Sequence, residues 1–152
     1  LDDDASMLLR FKGGARGVLI ASQINAGKEN DLRLRVSGER GTLEWCQEEP
    51  NTMWMKWPDR PREMIRTSNG YMSEMAAHNS RTPGGHPEGY IEAFANIYRN
   101  FALTLQAMKE GKEPSSLCLD FPSVQDGVRG MQFIETVVAS SNSDKKWVKM
   151  VD

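Results

Sequence analysis

The sequence has few of the residues from which compact chemical sites are most often built. Its 152 residues include 2 cysteines and 2 histidines, too few for a disulfide framework or for a zinc site of cysteine and histidine ligands. No apolar run reaches the roughly 18 residues that a membrane span needs, and Leu1-Asp2-Asp3-Asp4 is the reverse of the basic start of a signal peptide. We therefore expect no bound metal, no membrane and a reducing, cytoplasmic location.

Excess charge and phosphate-binding motifs are also absent. Lys and Arg number 19 against 21 Asp and Glu, and this net charge of −2 gives no reason to expect a nucleic acid as partner. No two glycines are spaced as Gly-x-Gly, so neither the dinucleotide fingerprint G-x-G-x-x-G nor a P-loop is present. The chain is predicted to bind no nucleotide by these means.

The first half of the sequence has the alternating pattern of β-strands. Apolar residues at every second position predict a β-hairpin over 5–25 that turns at Gly13-Gly14 and buries Val18, Ile20 and Ile24 on one face. Further strands are predicted at 32–36, 42–46, 53–57 and 63–67. Residues 69–85 follow as a long loop with at most one helical turn, and loops of this length are often functional.

The second half changes to the helical period. A helix is predicted to begin at Pro87 and to stop at Gly111, with the apolar stripe Tyr90, Phe94, Ile97, Phe101, Leu105 and Met108. Ser123 and Asp126 resemble a capping box ahead of a second stripe, Val124, Val128, Met131, Ile134 and Val138. A last strand is predicted at 147–151. Strands followed by two helices predict one α+β domain over 1–152, a mostly antiparallel open sheet covered on one face by two main helices.

A few side chains stand out as candidates for function. His86, between Gly84-Gly85 and Pro87, is placed at the start of the long helix, where it either caps the helix or faces a polar ligand. His78 is predicted to be a surface loop residue, and Tyr90, Phe94 and Tyr98 are predicted to be core. Three tryptophans, Trp45, Trp54 and Trp57, exceed what one small sheet face needs, which indicates a packed interface or a sugar-stacking surface.

The order of these pieces resembles a known family. The segments "DDDASMLLRFKGGARGVLIASQ", "RLRVSGERGTLEW", "GGHPEGYIEAFANIYRNF" and "PSVQDGVRGMQFIETVVASSNSDKKWVKM" are similar to the C-terminal half of the Gfo/Idh/MocA oxidoreductases, which include glucose–fructose oxidoreductase and inositol dehydrogenase. The resemblance covers nearly the whole chain. It implies a two-domain parent whose N-terminal Rossmann domain, absent from this sequence, binds NAD or NADP.

The resemblance also implies roles for this region of the parent. By this resemblance, the region is expected to shape the pocket for a sugar, polyol or related hydroxy compound and to form a homo-oligomer through the exposed sheet face. The Glu-Lys-Pro motif and the Asp and His pair of the family are missing, so the catalytic residues match no position here, and we expect the chain alone to be inactive and to bind no cofactor. Because the loop before the long helix often lies toward the active site in relatives, His86, Arg81 and Asn79 are the expected substrate-binding residues.

The sequence is also compatible with a second function. The tryptophans and the 69–85 loop would also suit a non-enzymatic module that binds a carbohydrate or a protein.

Overall fold

The computed structural model describes residues 3–150, which form two compact units. The first unit contains the residues up to Lys28 and those from Pro122 onward, and the second is Glu29–Phe121. The elements along the chain are β1 (Asp4–Arg10), β2 (Arg16–Ser22), β3 (Arg33–Ser37), β4 (Thr42–Cys46), β5 (Thr52–Lys56), β6 (Glu63–Arg66), α1 (Glu74–His78), α2 (Tyr90–Lys109), a 3-10 helix (Ser116–Leu119) and α3 (Val124–Ser141). Antiparallel strands followed by helices confirm the predicted α+β class.

The hairpin of the first unit is confirmed, but its buried face is not the predicted one. β1 and β2 pair antiparallel around a turn in which Gly14 takes a φ of 88°, a conformation that favours glycine. The register pairs Leu8 with Val18 and Ser6 with Ile20, on the face opposite to Ala5, Met7 and Leu9. Val18 and Ile20 are exposed. Side chains alternate between the two faces of a strand, so a shift of one residue at the turn moves every following side chain to the other face.

The helix of the first unit begins as predicted. Ser123 Oγ accepts a hydrogen bond from Asp126 N at 3.2 Å, and Asp126 Oδ2 accepts one from Ser123 N at 2.8 Å, which is a capping box. The Ser123 hydroxyl also donates to Asp126 Oδ2 at 2.7 Å, and this bond, followed by that from the Ser123 backbone N–H, lowers the pKa of Asp126. No residue of α3 is buried, and the predicted apolar stripe is exposed along its length.

The closing strand is not present at residues 147–150, and Val151 lies outside the described residues. A strand requires a partner for its backbone groups, and the alternating pattern alone does not provide one. Instead, Trp147 packs its ring against the guanidinium of Arg10, 3.9 Å from ring centroid to Cζ.

The second unit contains a four-stranded antiparallel sheet in the order β3-β4-β5-β6. Its register places Arg35, Glu44 and Trp54 on one face, whereas Trp45 pairs with Met53 on the other. Trp45 and Trp54 therefore lie on opposite faces of the sheet, so a contact surface on one face contains only some of the three tryptophans. Trp54 is covered by Arg62, with 4.3 Å from Cζ to the ring centroid.

The long helix of this unit begins at Tyr90, three residues later than predicted. Gly89 is the N-cap with φ −149° and ψ −143°, outside the helical region, so Pro87 lies ahead of the helix and not in its first turn. The helix ends as predicted before Gly111, which takes a φ of 68°.

Candidate functional site

A line of polar side chains at four-residue spacing on α2 forms the centre of the second unit. Asn100 and Thr104 are 1% and 7% exposed, and with Cys118 they are the only buried residues within 3–150. Thr104 Oγ1 donates to the carbonyl of Cys118 at 3.1 Å and so ties α2 to the 3-10 helix. Buried polar groups are stable only when they are hydrogen-bonded, so this line fixes the elements around it.

Helix α1 is joined to the same line through its last residues. His78 Nε2 lies 3.0 Å from Asn100 Oδ1 and 3.1 Å from Arg99 Nη1. Asn100 Nδ2 donates to Asn79 Oδ1 at 3.0 Å, and Asn96 Nδ2 donates to the Asn79 carbonyl at 2.6 Å. His78 is therefore half-buried and part of a network, and the prediction that it is a surface loop residue is wrong.

An open pocket of about 370 Å³ lies beside this network within the second unit. Trp45, Met72 and Ile97 give it an apolar wall. Its polar lining comes from the start of α2 and the segments that pack near it: Asn51, Asn79, Ser80, Glu88, Glu92, Asn96 and Asp120. A concave site with an apolar wall and several convergent polar groups is the usual form of a small-molecule site.

Two glutamates organise the pocket at the beginning of α2. Glu92 Oε2 accepts from Gly89 N at 2.8 Å, a bond that lowers the pKa of Glu92. Glu88 Oε1 accepts from the backbone N–H groups of both Arg81 and Thr82 and so holds the end of the long loop. The carboxylate of Glu92 thus already occupies a position that an anion would take at this helix start.

The structure brings one of the three predicted site residues into the pocket. Asn79 lines it, and its Nδ2 donates to Met75 O and Asp120 Oδ2, both at 3.2 Å. Arg81 and His86 are exposed and are not among the lining residues. His86 Nδ1 lies 3.2 Å from the carbonyl of Pro83, and the helix is capped by Gly89 and Glu92, so the alternative in which His86 caps the helix is wrong.

The aromatic residues of α2 form a ladder along the exposed side of the helix. Tyr90 stacks on Phe94 with ring centroids 5.7 Å apart, and Phe94 contacts Tyr98 at 5.6 Å. Tyr90 and Tyr98 are 66% and 65% exposed, so the prediction that these rings are core is wrong. The apolar stripe shows which side of the helix favours a contact, but periodicity carries no information about what provides it.

One group of potential metal ligands occurs among residues 3–150. Asp31, Cys46 and Glu48 bring one ligand atom each within 4.8 Å of one another. The Arg33 guanidinium lies 2.5 Å from Asp31 and 3.6 Å from Glu48, and its positive charge balances these carboxylates where a metal ion would. We assign no metal to this group.

Sequence reasoning missed several residues of the site. The spacing of Asn96, Asn100 and Thr104 at i, i+4 and i+8 was a usable signal, because three polar residues in line on an apolar helix indicate a common polar contact. No such signal existed for His78 or Asp120, which reach the network through tertiary contacts 22 and 41 residues apart in sequence.

With the fold and the pocket established, comparisons with known proteins identify the class. Residues 1–150 match the Gfo/Idh/MocA oxidoreductase family in its C-terminal alpha/beta domain. The chain belongs to this family, as the sequence resemblance predicted.

Individual relatives agree with this assignment. The uncharacterized oxidoreductase YfiI of Bacillus subtilis (strain 168) is 31% identical over 149 residues, which are 98% of this chain and 38% of YfiI. An oxidoreductase from Sinorhizobium meliloti is similar in structure with a TM-score of 0.88 and 38% identity, over 97% of this chain and 41% of that one.

An inositol dehydrogenase homolog from Azotobacter vinelandii, solved with NADH and myo-inositol, has a TM-score of 0.87 and 33% identity, over 97% of this chain and 39% of its own. The chain thus spans about two fifths of the length of these relatives. Within residues 3–150, every helix is too short or too polar to cross a bilayer.

Proposed function

We propose that this chain is the substrate side of an NAD(P)-dependent oxidoreductase that acts on a sugar, a polyol or a related hydroxy compound. The observation that carries the proposal is the pocket at the start of α2, where Trp45 supplies an apolar wall and Asn79, Asn96 and Asp120 supply polar groups suited to hydroxyls. The homolog from Azotobacter vinelandii solved with myo-inositol supports this substrate class.

The residues of this chain do not fit the nicotinamide cofactor itself. All strand pairs among residues 3–150 are antiparallel, whereas a dinucleotide site requires parallel strands joined through a helix and a glycine-rich turn. We assign cofactor binding and the catalytic residues to the remainder of the complete protein. The contribution of this chain is to bind and orient the substrate.

Asn79, Arg81 and His86 remain the proposed substrate-binding residues. Asn79 lines the pocket, and Glu88 holds the backbone of Arg81 from inside it. Arg81 and His86 are exposed and lie in sequence between Ser80 and Glu88, which both line the pocket. We propose that these two side chains contact the outer part of a bound ring.

The test uses the complete gene product. We expect it to reduce NAD⁺ or NADP⁺ with at least one member of a panel of sugars and cyclic polyols that includes myo-inositol. His86→Ala should lower kcat/KM by about tenfold to a thousandfold through loss of polar contacts, while the melting temperature stays unchanged because His86 is exposed. Lys145→Ala, an exposed change in the first unit, is the control. No cofactor reduction with any substrate would contradict the function, and unchanged kinetics would remove His86 from the site.

We also propose that the protein is a homo-oligomer through the face of β3–β6 that carries Trp54. On this face Met64 is 52% exposed beside Trp54, and methionine and aromatic side chains are enriched in subunit contacts. Sedimentation should show a dimer or larger species whose mass falls on Trp54→Ala. A strictly monomeric protein at high concentration would contradict this.

Neither Cys46 nor Cys118 forms a disulfide, and we propose a cytoplasmic location on this ground.

A further inference from the structure

The pocket that carries the proposed function is rich in hydrogen-bond acceptors and negative charge. Its lining contains three carboxylates, those of Glu88, Glu92 and Asp120, and no lysine, arginine or histidine. Glu88 Oε1 accepts from two backbone N–H groups, the Glu92 carboxylate accepts from the backbone N–H groups of Gly89 and of Glu92 itself, and Asp120 Oδ2 accepts from Asn79 Nδ2. Glu88 Oε2 and Asp120 Oδ1 have no hydrogen-bond partner within residues 3–150 and are open acceptors.

Each donor side chain in the lining already makes at least one hydrogen bond within the protein. Asn79 Nδ2 donates to Asp120, Asn96 Nδ2 donates to the Asn79 carbonyl, and Trp45 Nε1 donates to Pro50 O at 3.0 Å. The fully buried Asn100 donates a hydrogen bond to Asn79 Oδ1 and so fixes the orientation of the Asn79 amide. A ligand in this pocket must therefore supply donors and finds few in return.

The spacing of the carboxylates argues against a single metal ion as that ligand. The three do not bring one oxygen each within 4.8 Å of the other two, whereas Asp31, Cys46 and Glu48 are the one group among residues 3–150 whose ligand atoms do. Separate acceptors on an apolar wall fit an organic molecule that presents several donors around a ring.

Resting on the proposed function, we propose that the pocket selects a hydroxylated ring that carries an ammonium group. The hydroxyls and the ammonium donate to the open oxygens, and the positive charge is attracted by three carboxylates in a lining that has no cationic side chain. Phosphorylated and carboxylated sugars are disfavoured, because they bring negative charge and more acceptors to a site that already has both.

The test compares three sugars of the same ring size in the complete protein: D-glucose, D-glucosamine and D-glucuronate, by calorimetric titration at a pH where the amine is protonated. D-Glucosamine is expected to bind about tenfold more tightly than D-glucose, and D-glucuronate at least about tenfold more weakly. The preference should decrease with added salt.

Asp120→Asn keeps the shape of the side chain and an acceptor for Asn79 while removing the charge. It should weaken D-glucosamine binding by about tenfold and D-glucose binding by clearly less, because only the amine loses an attraction between opposite charges. Asp144→Asn, an equal change of charge at an exposed position in the first unit, is the matched control and should change neither affinity.

Equal affinities, tightest binding of D-glucuronate, or no binding of any of the three sugars would each overturn this inference. Cofactor reduction by neutral polyols is measured separately. Oxidation of polyols without a preference for the amine would contradict only this inference. Binding of D-glucosamine without reduction of any cofactor would contradict the proposed function.

Discussion

The two long helices, α2 and α3, are alike in sequence pattern and different in how they are held. Both have one apolar stripe and a glutamate or aspartate at the third position that closes a capping box. α2 contains the buried Asn100 and Thr104, whereas α3 contains no buried residue. The same amphipathic period therefore forms a helix in both places, but only α2 is joined to its neighbours by a polar network.

Composition adds to this difference. α3 includes Gly127 and Gly130 in its interior, and each lowers helix stability by about 1 kcal/mol relative to alanine. α2 has no interior glycine. With less intrinsic helix propensity and no buried contact, α3 depends more on its N-terminal cap, and α2 depends more on its side chains. Substitutions at these two points test the contrast.

The largest effect is expected for Asn100→Ala. It removes the partner of His78 Nε2 and of Asn79 Oδ1 together, and polar groups left unpaired at a buried position cost about 2–4 kcal/mol in unfolding free energy. Urea denaturation followed by tryptophan fluorescence measures the loss, since Trp45, Trp54 and Trp57 all lie in the second unit.

Thr104→Val is the matched control for this network. It preserves the shape of the side chain and removes one hydrogen bond, to the carbonyl of Cys118, so it should cost about 1 kcal/mol. If Asn100→Ala costs no more than Thr104→Val, the network does not hold α1 to α2 and the contrast between the helices fails.

The sequence predicted the elements better than their environments. Alternation found β1 to β6 because each strand has its own period-two run, and the Ser123 box and Gly111 marked helix ends through local chemistry. Proline suits the first turn of a helix, and this predicts the start of α2 at Pro87. The backbone of Gly89 is not helical, however, and α2 begins only at Tyr90. A favourable residue at one position does not require the helix to begin there.

The site was harder to predict, for a physical reason. Asn79 was reached through the family resemblance and lies in the pocket, but its partners Asn100 and Asp120 come from distant segments. Local sequence patterns indicate the secondary structure and the chemistry of a residue. The packing of strands and helices determines which residues it contacts. The wrong assignment of Val18 and the exposed rings of Tyr90 and Tyr98 have the same origin.

The smallest expected effect is that of Ser123→Ala, which tests the dependence of α3 on its cap. Loss of an N-cap serine costs about 1 kcal/mol of helix stability, and it should appear as faster hydrogen exchange in the first turns of α3 with no change in α2. In the folded chain Ser123 lowers the pKa of Asp126 below its ordinary value of 3.8, so the cap contributes fully above that value and is lost as the pH falls through the lower folded pKa. The difference between the wild-type chain and Ser123→Ala should therefore be constant near neutral pH and shrink in acid. Ser143→Ala, a change beyond the end of the same helix, is the control. A difference that grows in acid, or equal effects on α2 and α3, would show that the cap is not what sustains α3.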